Sequence, residues 1–436
     1  MEATLQEILE ARDRRAERQR QLLSQYEKTL ICFTLNIPGP VKYDTLVAEG
    51  FLIGCEKLEA QLLAMGYPVI YSQRLPRHTG CEAFYVVDAA AEKVKALTVA
   101  IEEENSLGRL FDMDVLTIDG QKLERSTERK CLLCENSARV CGPIRAHSSQ
   151  QLRQRVTQIL TEAVHTRRSR QIGVLAAKAL LFEACTAPKP GLVDRLGNGS
   201  HADMDIFTFM ASTAALQPYF TECARYGMEK RGFDSLRHLG REAESLMQEA
   251  TAGVNTHKGA IFTLGILCYA AGSLDVENRN DPQKLCQEAA ALCTGITAEL
   301  KNVTQETART AGERLYLHHG ITGIRGQAEQ GFPAVLHTGL PVLEEGVSLG
   351  FSLERAGCGA LLAMLTATAD TNLIARSDRQ TAAAITRQVA LLIAKDRYPD
   401  RQTLEGLDEV FVSKNLSIGG TADLLAATYF LYFIKT

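Results

Sequence analysis

The chain has 436 residues, 45% of them hydrophobic, with 48 basic and 52 acidic side chains and a formal net charge of −4. That length exceeds one typical domain and predicts two or three. The near balance of charge argues against a general nucleic-acid or membrane-surface binder, and no apolar run reaches the length of a membrane span. The charged opening segment "MEATLQEILEARDRRAERQRQLL" reads as a helix and not as a signal peptide. A cytoplasmic protein is therefore expected, its 12 cysteines reduced and mostly buried as small apolar residues.

Up to about residue 145 strand and helix signals mix. "LICFTLNIPG" (30–39) is an apolar run closed by Pro-Gly, a strand with a turn. "CEKLEAQLLAMG" has helical spacing and a terminal glycine. "YPVIYSQ" and "EAFYVVDA" predict strands, "AAEKVKALTVAIEEEN" a helix, and "RLFDMDVLTIDGQKLE" a hairpin turning at Asp119-Gly120. After about 150, long Ala/Leu-rich helical segments alternate with glycine-containing loops: 151–165, 171–184, 204–220, 239–250, 259–272, 283–303, 350–377, 379–396 and 420–433. The expectation is a multidomain chain, with an α+β domain over 1–165 and an all-α domain over 166–436, linked near "AVHTRRSRQIG" (163–173).

In the first domain Asp112 and Asp114 stand two apart on a predicted strand. Their carboxylates project from one face, about 7 Å apart, and can share a divalent ion such as Mg²⁺ with phosphate oxygens. Gly108 would let the backbone approach a phosphate, and Arg109 beside it is a phosphate-binding candidate. The competing reading is a half-exposed strand with two solvated acids. In "RKCLLCENSARVCGPIRAH", Cys131, Cys134, Cys141 and His147 offer a zinc ligand set, though with looser spacing than a zinc ribbon. The preferred reading is instead a helix with buried cysteines and a basic face (Arg129, Lys130, Arg139, Arg145) toward phosphates.

Together "NIPGPVK", "RHTGCEAFYVV", "GRLFDMDV" and "RKCLLCENSARVCGPIRAH" resemble apo-citrate lyase phosphoribosyl-dephospho-CoA transferase across about 20–160. The resemblance implies attachment of the citrate lyase prosthetic group to a serine of the acyl carrier subunit, with release of pyrophosphate. It also implies a nucleotidyltransferase-like domain in which Asp112 and Asp114 are catalytic metal ligands.

Five polar stretches interrupt the helices of the second half. "FEACTAPKPGLVDRLGNGSHADMDIF" holds Glu183, Lys189, Asp194, Asn198, His201, Asp203 and Asp205, far more than a helix connection of roughly two to eight residues requires. Capping is the plain alternative for Asp203 and Asp205, which open the next helix. "AGVNTHKGAIFTLGIL" places Asn255, His257 and Lys258 at a helix N-terminus, a ready anion site. "LYLHHGITGIRGQAEQGFP" surrounds Arg325 with glycines. "LLAMLTATADTNLIARSD" sets Asp370 and Asn372 in an apolar helix, where a buried carboxylate needs a partner. "NLSIGGTADLLAATYF" puts Asp423 in a first helical turn, where capping suffices. Taken as a set, they are what Mg²⁺ and a polyphosphate require.

These stretches resemble triphosphoribosyl-dephospho-CoA synthase over about 170–436. The resemblance implies that ATP and 3′-dephospho-CoA are joined by attack of a ribose 2′-hydroxyl on C1 of the ATP ribose, with departure of adenine. On that basis Asp203, Asp205 and Asp370 are assigned to metal, and Lys189, Lys258 and Arg325 to phosphate. Asp194, Asn198, His201, Asn255 and Asn372 are assigned to substrate, and Glu183 or His257 to proton handling. Alternatives are the equivalent prosthetic-group pathway of malonate decarboxylase, or a metal-dependent nucleotide N-glycosidase joined to a carrier-docking module.

Overall fold

Residues 2–436 are described by a computed structural model. They divide into two units, one ending at Arg167 and the other beginning at Arg168.

The first unit opens with helix α1 (Leu5–Tyr26), started by a capping box: the Thr4 hydroxyl accepts from the Glu7 N–H, and the Glu7 carboxylate accepts from the Thr4 N–H. Then come β1 (Thr29–Leu35), α2 (Thr45–Ala64), β2 (Val69–Arg77), β3 (Gly80–Val87), α3 (Ala91–Glu103) and β4 (Phe111–Leu116). The strands form one antiparallel sheet in the order β2-β3-β1-β4. Alternation along β1 and β4 divides the side chains between two faces. Ile31, Phe33, Met113 and Val115 pack in the larger core with Phe51 and Leu58 of α2 and Val94 and Ile101 of α3. Leu30, Cys32 and Leu116 meet Leu22 and Leu23 of α1 on the opposite face. The register pairs Thr34 with Asp112 and Cys32 with Asp114, so both acids lie on the α1 side of the sheet.

The expected hairpin after β4 is only begun. The Thr117 N–H donates to the Gln121 carbonyl and Gly120 takes φ +79°, but the returning strand is a single bridge, Leu116 to Lys122. The expected helix over the cysteine motif is also absent. Apart from one bridge, Lys130 to Ser137, the segment's regular structure is the short helix α4 (Ala138–Cys141). The two helices expected over 151–165 and 171–184 form one, α5 (Ser149–Cys185), and the boundary between units falls inside it. The supposed linker has no proline. Its one glycine, Gly173, serves close packing, since a Cβ there would come within 2.2 Å of the Thr221 hydroxyl.

Among the described residues the second unit is wholly helical. It continues with α6 (Ile206–Met228), α7 (Phe233–Ala250), α8 (Lys258–Ser273), α9 (Pro282–Leu292), α10 (Ala311–His319), α11 (Gly323–Glu329) and α12 (Leu340–Ser348). It ends with α13 (Leu353–Ala367), α14 (Thr371–Arg376), α15 (Arg379–Lys395), α16 (Arg401–Ser413) and α17 (Gly419–Lys435). Helices α8, α13 and α17 are apolar on most sides and form the interior. Helices α6 and α8 approach closely because Gly227 and Gly272 lack side chains: a Cβ on either would lie 2.0 Å from a carbonyl of the other helix. The helix expected over 350–377 breaks at Thr368–Asp370, because the Asp370 side chain caps a new one. Likewise the helix expected over 283–303 stops at Leu292 and is followed by a 3₁₀ turn at Ala298–Asn302.

Candidate active sites

The second unit contains an open cavity of about 1020 Å³, lined by residues from all five polar stretches. It draws on the end of α5 and the loop after it, the starts of α8, α11, α14 and α17, and the start of α10. Helix N-termini carry unpaired N–H groups and partial positive charge, so such a wall suits an anion.

Glu183 and Lys189 form an ion pair inside this wall, and Lys189 is 1% exposed. The Lys189 ammonium also donates to the Glu183 carbonyl at 2.7 Å, so two of its donors are directed into the protein. Burial pushes the Glu183 carboxyl upward, against the pull of Lys189. Asp194 shapes the loop: one oxygen accepts from the Lys189 N–H at 2.8 Å and the other from those of Leu196 and Gly197. Asp205 caps α6, accepting from the Thr208 N–H at 2.9 Å and the Thr208 hydroxyl at 2.7 Å. Asp194, Asn198 and Asp205 are not among the residues that line the cavity.

His257 is 2% exposed at the start of α8. Its Nδ1 lies 2.7 Å from the Ser212 hydroxyl, which accepts from the Thr256 hydroxyl at 2.8 Å. Phe209 packs edge-on against the ring, and Nε2 is buried without a partner. Burial, with a lesser push from Lys189, lowers the imidazole to about 3, so it is neutral at ordinary pH. The Asn255 side chain accepts from the Lys258 N–H at 3.3 Å, while Lys258 meets Glu244 at 2.7 Å and Arg325 meets Glu313 at 3.3 Å. His201 stands between Ser417, 3.1 Å from Nε2, and Arg376, 3.2 Å from Nδ1. Asp203 is an exposed acid on the cavity, and Asn372 lies against Gly419.

Asp370 is a buried staple. Its Oδ1 accepts from the N–H groups of Asn372 and Leu373, both at 2.9 Å, and its Oδ2 from the N–H and hydroxyl of Thr421, both at 2.7 Å. One carboxylate thus holds the starts of α14 and α17 together. Asp423, read from sequence as a helix cap, instead faces the cavity. Burial first, then the charges of Glu183 and Asp370, drive its carboxyl well up. Helix α8 approaches it at Gly259, where a Cβ would stand 1.8 Å from the Asp423 carboxylate. Only this close approach of two distant motifs distinguishes the acid from a cap, and one sequence does not display it.

In the first unit Asp112 and Asp114 are half-buried on β4. Lys122 lies 2.7 Å from Asp114 and Arg129 3.6 Å from Asp112. A second cavity of about 940 Å³ is lined by Arg109, Arg125, Arg129, Arg145 and the cysteine segment, but not by the two aspartates themselves. Arg109 donates to the carbonyls of Lys130 and Cys131 and so supports that segment. Buried Glu102, hidden in the acidic run "EEEN", accepts from the Met113 N–H at 2.7 Å and pairs with Arg129 at 2.8 Å and Arg125 at 3.3 Å. It ties the basic residues to the strand that carries the aspartates. The four residues Cys131, Cys134, Cys141 and His147 converge, with one ligand atom from each within 4.8 Å of the others.

Comparison with known proteins gives each unit a counterpart. The profile of the CitG family, ATP:dephospho-CoA triphosphoribosyl transferase, matches residues 169–436. That of the CitX family, apo-citrate lyase phosphoribosyl-dephospho-CoA transferase, matches residues 3–163. Protein CitXG of Haemophilus influenzae is 36% identical over 451 residues, covering 98% of this chain and 95% of that protein. Protein CitXG of Leuconostoc mesenteroides is 33% identical over 453 residues, with 98% and 96% covered. The 2-(5″-triphosphoribosyl)-3′-dephosphocoenzyme-A synthase of Pectobacterium atrosepticum is 41% identical over 268 residues, 60% of this chain and 88% of that enzyme. The chain belongs to the CitXG family, in which a CitX region and a CitG region are joined in one polypeptide.

Proposed function

We propose how the two cavities carry the activities of this family. The chain is a bifunctional transferase of citrate lyase prosthetic-group biosynthesis. Its second unit condenses ATP with 3′-dephospho-CoA and releases adenine. Its first unit transfers the phosphoribosyl-dephospho-CoA moiety to a serine of the acyl carrier protein and releases pyrophosphate. The observation that carries the residue assignment is the meeting of five separate motifs around one cavity.

In that cavity the ATP triphosphate lies across the starts of α8, α10 and α11, where Lys258, Arg325 and exposed Arg309 offer cationic contacts. Lys189 acts from behind, holding Glu183 at the wall. The Thr256–Ser212–His257 chain directs a hydroxyl proton to Nδ1, which leaves the imidazole proton on Nε2. A neutral N–H donor buried at the cavity is suited to a ring nitrogen of departing adenine. Glu183 and Asp423 face the positive charge that develops at C1, and one of them takes the 2′-hydroxyl proton. Asp203, exposed on the cavity, is the acid open to a divalent cation, whereas the carboxylates nearest Asp423, Glu183 and Asp370, are already engaged by Lys189 and by backbone and hydroxyl donors. Mg²⁺ held there would neutralise the triphosphate. Asp370, with four donors on its two oxygens, serves the fold.

In the first unit the paired faces of Asp112 and Asp114 fit Mg²⁺, with Lys122 and Arg129 as the cations it would displace. Arg125, Arg129 and Arg145 receive the departing pyrophosphate. Mass spectrometry of the full chain with ATP, Mg²⁺ and 3′-dephospho-CoA tests the first reaction. Adenine and a triphosphoribosyl adduct are expected, whereas free triphosphoribose beside unmodified dephospho-CoA would indicate a nucleotide hydrolase. Apo-carrier added next should gain the adduct's mass less pyrophosphate. Normal transfer by the double variant Asp112→Asn, Asp114→Asn would remove the aspartates from the mechanism.

A further inference from the structure

The segment 120–148 of the first unit has almost no regular structure of its own, yet it forms much of the wall of the 940 Å³ cavity. Cys131 and Cys141 are buried but belong to none of the apolar clusters of this unit, unlike Cys32, Cys55 and Cys81. Burial in an apolar core therefore does not account for them.

Their local geometry does. Cys131 and Cys134 sit on a tight turn closed by the Lys130–Ser137 bridge and by the Cys131 N–H donating to the Asn136 carbonyl at 2.7 Å. The Leu133 N–H points at the Cys131 sulfur, 3.5 Å away, an arrangement that favours a thiolate. Helix α4 then presents Cys141, and the turn after it, with the Ala146 N–H on the Cys141 carbonyl at 3.1 Å, returns His147. The Cys134 and Cys141 sulfurs are 3.5 Å apart, too far for a disulfide bond of about 2.05 Å. His147 Nε2 is 3.4 Å from the Cys134 sulfur. Around zinc, with Zn–S about 2.3 Å and Zn–N about 2.0–2.1 Å, tetrahedral ligand atoms stand roughly 3.4–3.8 Å apart.

We propose that Cys131, Cys134, Cys141 and His147 bind one zinc ion in a closed, structural Cys₃His site. With four protein ligands the ion has no open position for substrate, so it acts on the fold. It pins the turn against Arg109 and holds the segment bearing Arg125, Arg129 and Arg145 at the cavity. Binding releases thiol protons, so affinity falls as the pH falls. The reading of this wall as a pyrophosphate site rests on the proposed function; the metal site does not.

Elemental analysis of the full chain, purified under reductant and without chelator, is expected to give close to one zinc per chain. Chelated protein should take up one Co²⁺ with the sulfur-to-metal absorption and visible bands of a tetrahedral thiolate site, a readout that needs no variant. Cys134→Ser and His147→Ala should lose most of the metal while adenine release by the other unit continues at the parental rate. In carrier loading, metal removal should raise KM for the triphosphoribosyl donor more than it lowers kcat. Reduced protein that neither contains zinc nor takes up Zn²⁺ or Co²⁺ overturns the proposal, as does a metal content unchanged in both variants. Unaltered donor KM in a metal-free enzyme would leave the metal site standing and sink only its role at the cavity wall.

Discussion

His257 is held neutral by burial in a position where sequence suggested a titrating acid or base. The sign of its effect on stability follows. The unfolded imidazole takes a proton near 6.5 and the folded one only near 3, so between those values the unfolded state binds more protons. Stability from this group is present above about pH 6.5 and is lost as the pH falls toward 3. Unfolding free energies from urea titration at pH 7 and pH 5 should therefore differ less in His257→Gln than in the parent, by on the order of a kcal/mol or more. The rate of adenine release should show no inflection from this residue between pH 6 and 8. His257→Ala is expected to lower kcat by about 10²-fold or more, and a wild-type rate in that variant would remove the leaving-group contact. At Gly259 the backbone of α8 lies directly against the Asp423 side chain. A methyl group there would meet the Asp423 carboxylate at 1.8 Å, so Gly259→Ala displaces an acid of the cavity. Synthase activity should fall at least roughly tenfold, with a stability loss of only about 1–3 kcal/mol from overpacking.

Among the elements, α14 and α17 depend on one side chain. Asp370 accepts four hydrogen bonds across their two starts, and Asn would place N–H groups where acceptors are needed. Asp370→Asn should cost about 2–3 kcal/mol in urea unfolding. Its Mg²⁺ dependence at saturating substrate should match the parent's; a large rise in the Mg²⁺ required would restore Asp370 as a metal ligand. Asp370 also marks what the sequence made legible. Its oddity in an apolar stretch was visible, but its partner Thr421 is 51 residues away, and only folding brings the pair together. The strands of the first unit and the long apolar helices α8, α13 and α17 were readable because burial imposes a period on the residues themselves. The joining of two expected helices into α5 was not, because the polar run Thr166–Arg170 between them carries no apolar period of its own. Asp205, assigned to metal, and Asp194, assigned to substrate, carry a second role that the motif does not show: N–H groups close by in sequence donate to their carboxylates.

For the whole chain, each unit has its own core and its own cavity. Inactivation at one site should therefore leave the other reaction intact. Asp112→Asn with Asp114→Asn is expected to block carrier loading but not adenine release, and Gly259→Ala to slow adenine release but not the transfer of ready-made adduct to the carrier. Mixed together with apo-carrier, ATP and dephospho-CoA, the two variant chains should restore loading, as the triphosphoribosyl intermediate formed by one is used by the other. Failure of the mixture, with each remaining activity intact, would mean that the intermediate does not pass between chains. The boundary inside a single uninterrupted polypeptide has a further consequence for how much of each catalyst a cell holds. Every copy that is translated supplies both in a fixed one-to-one ratio. Variation in expression can change the total flux but not the balance between the steps. The amount of triphosphoribosyl intermediate that accumulates is then set by the two turnover rates and by the supply of unloaded carrier.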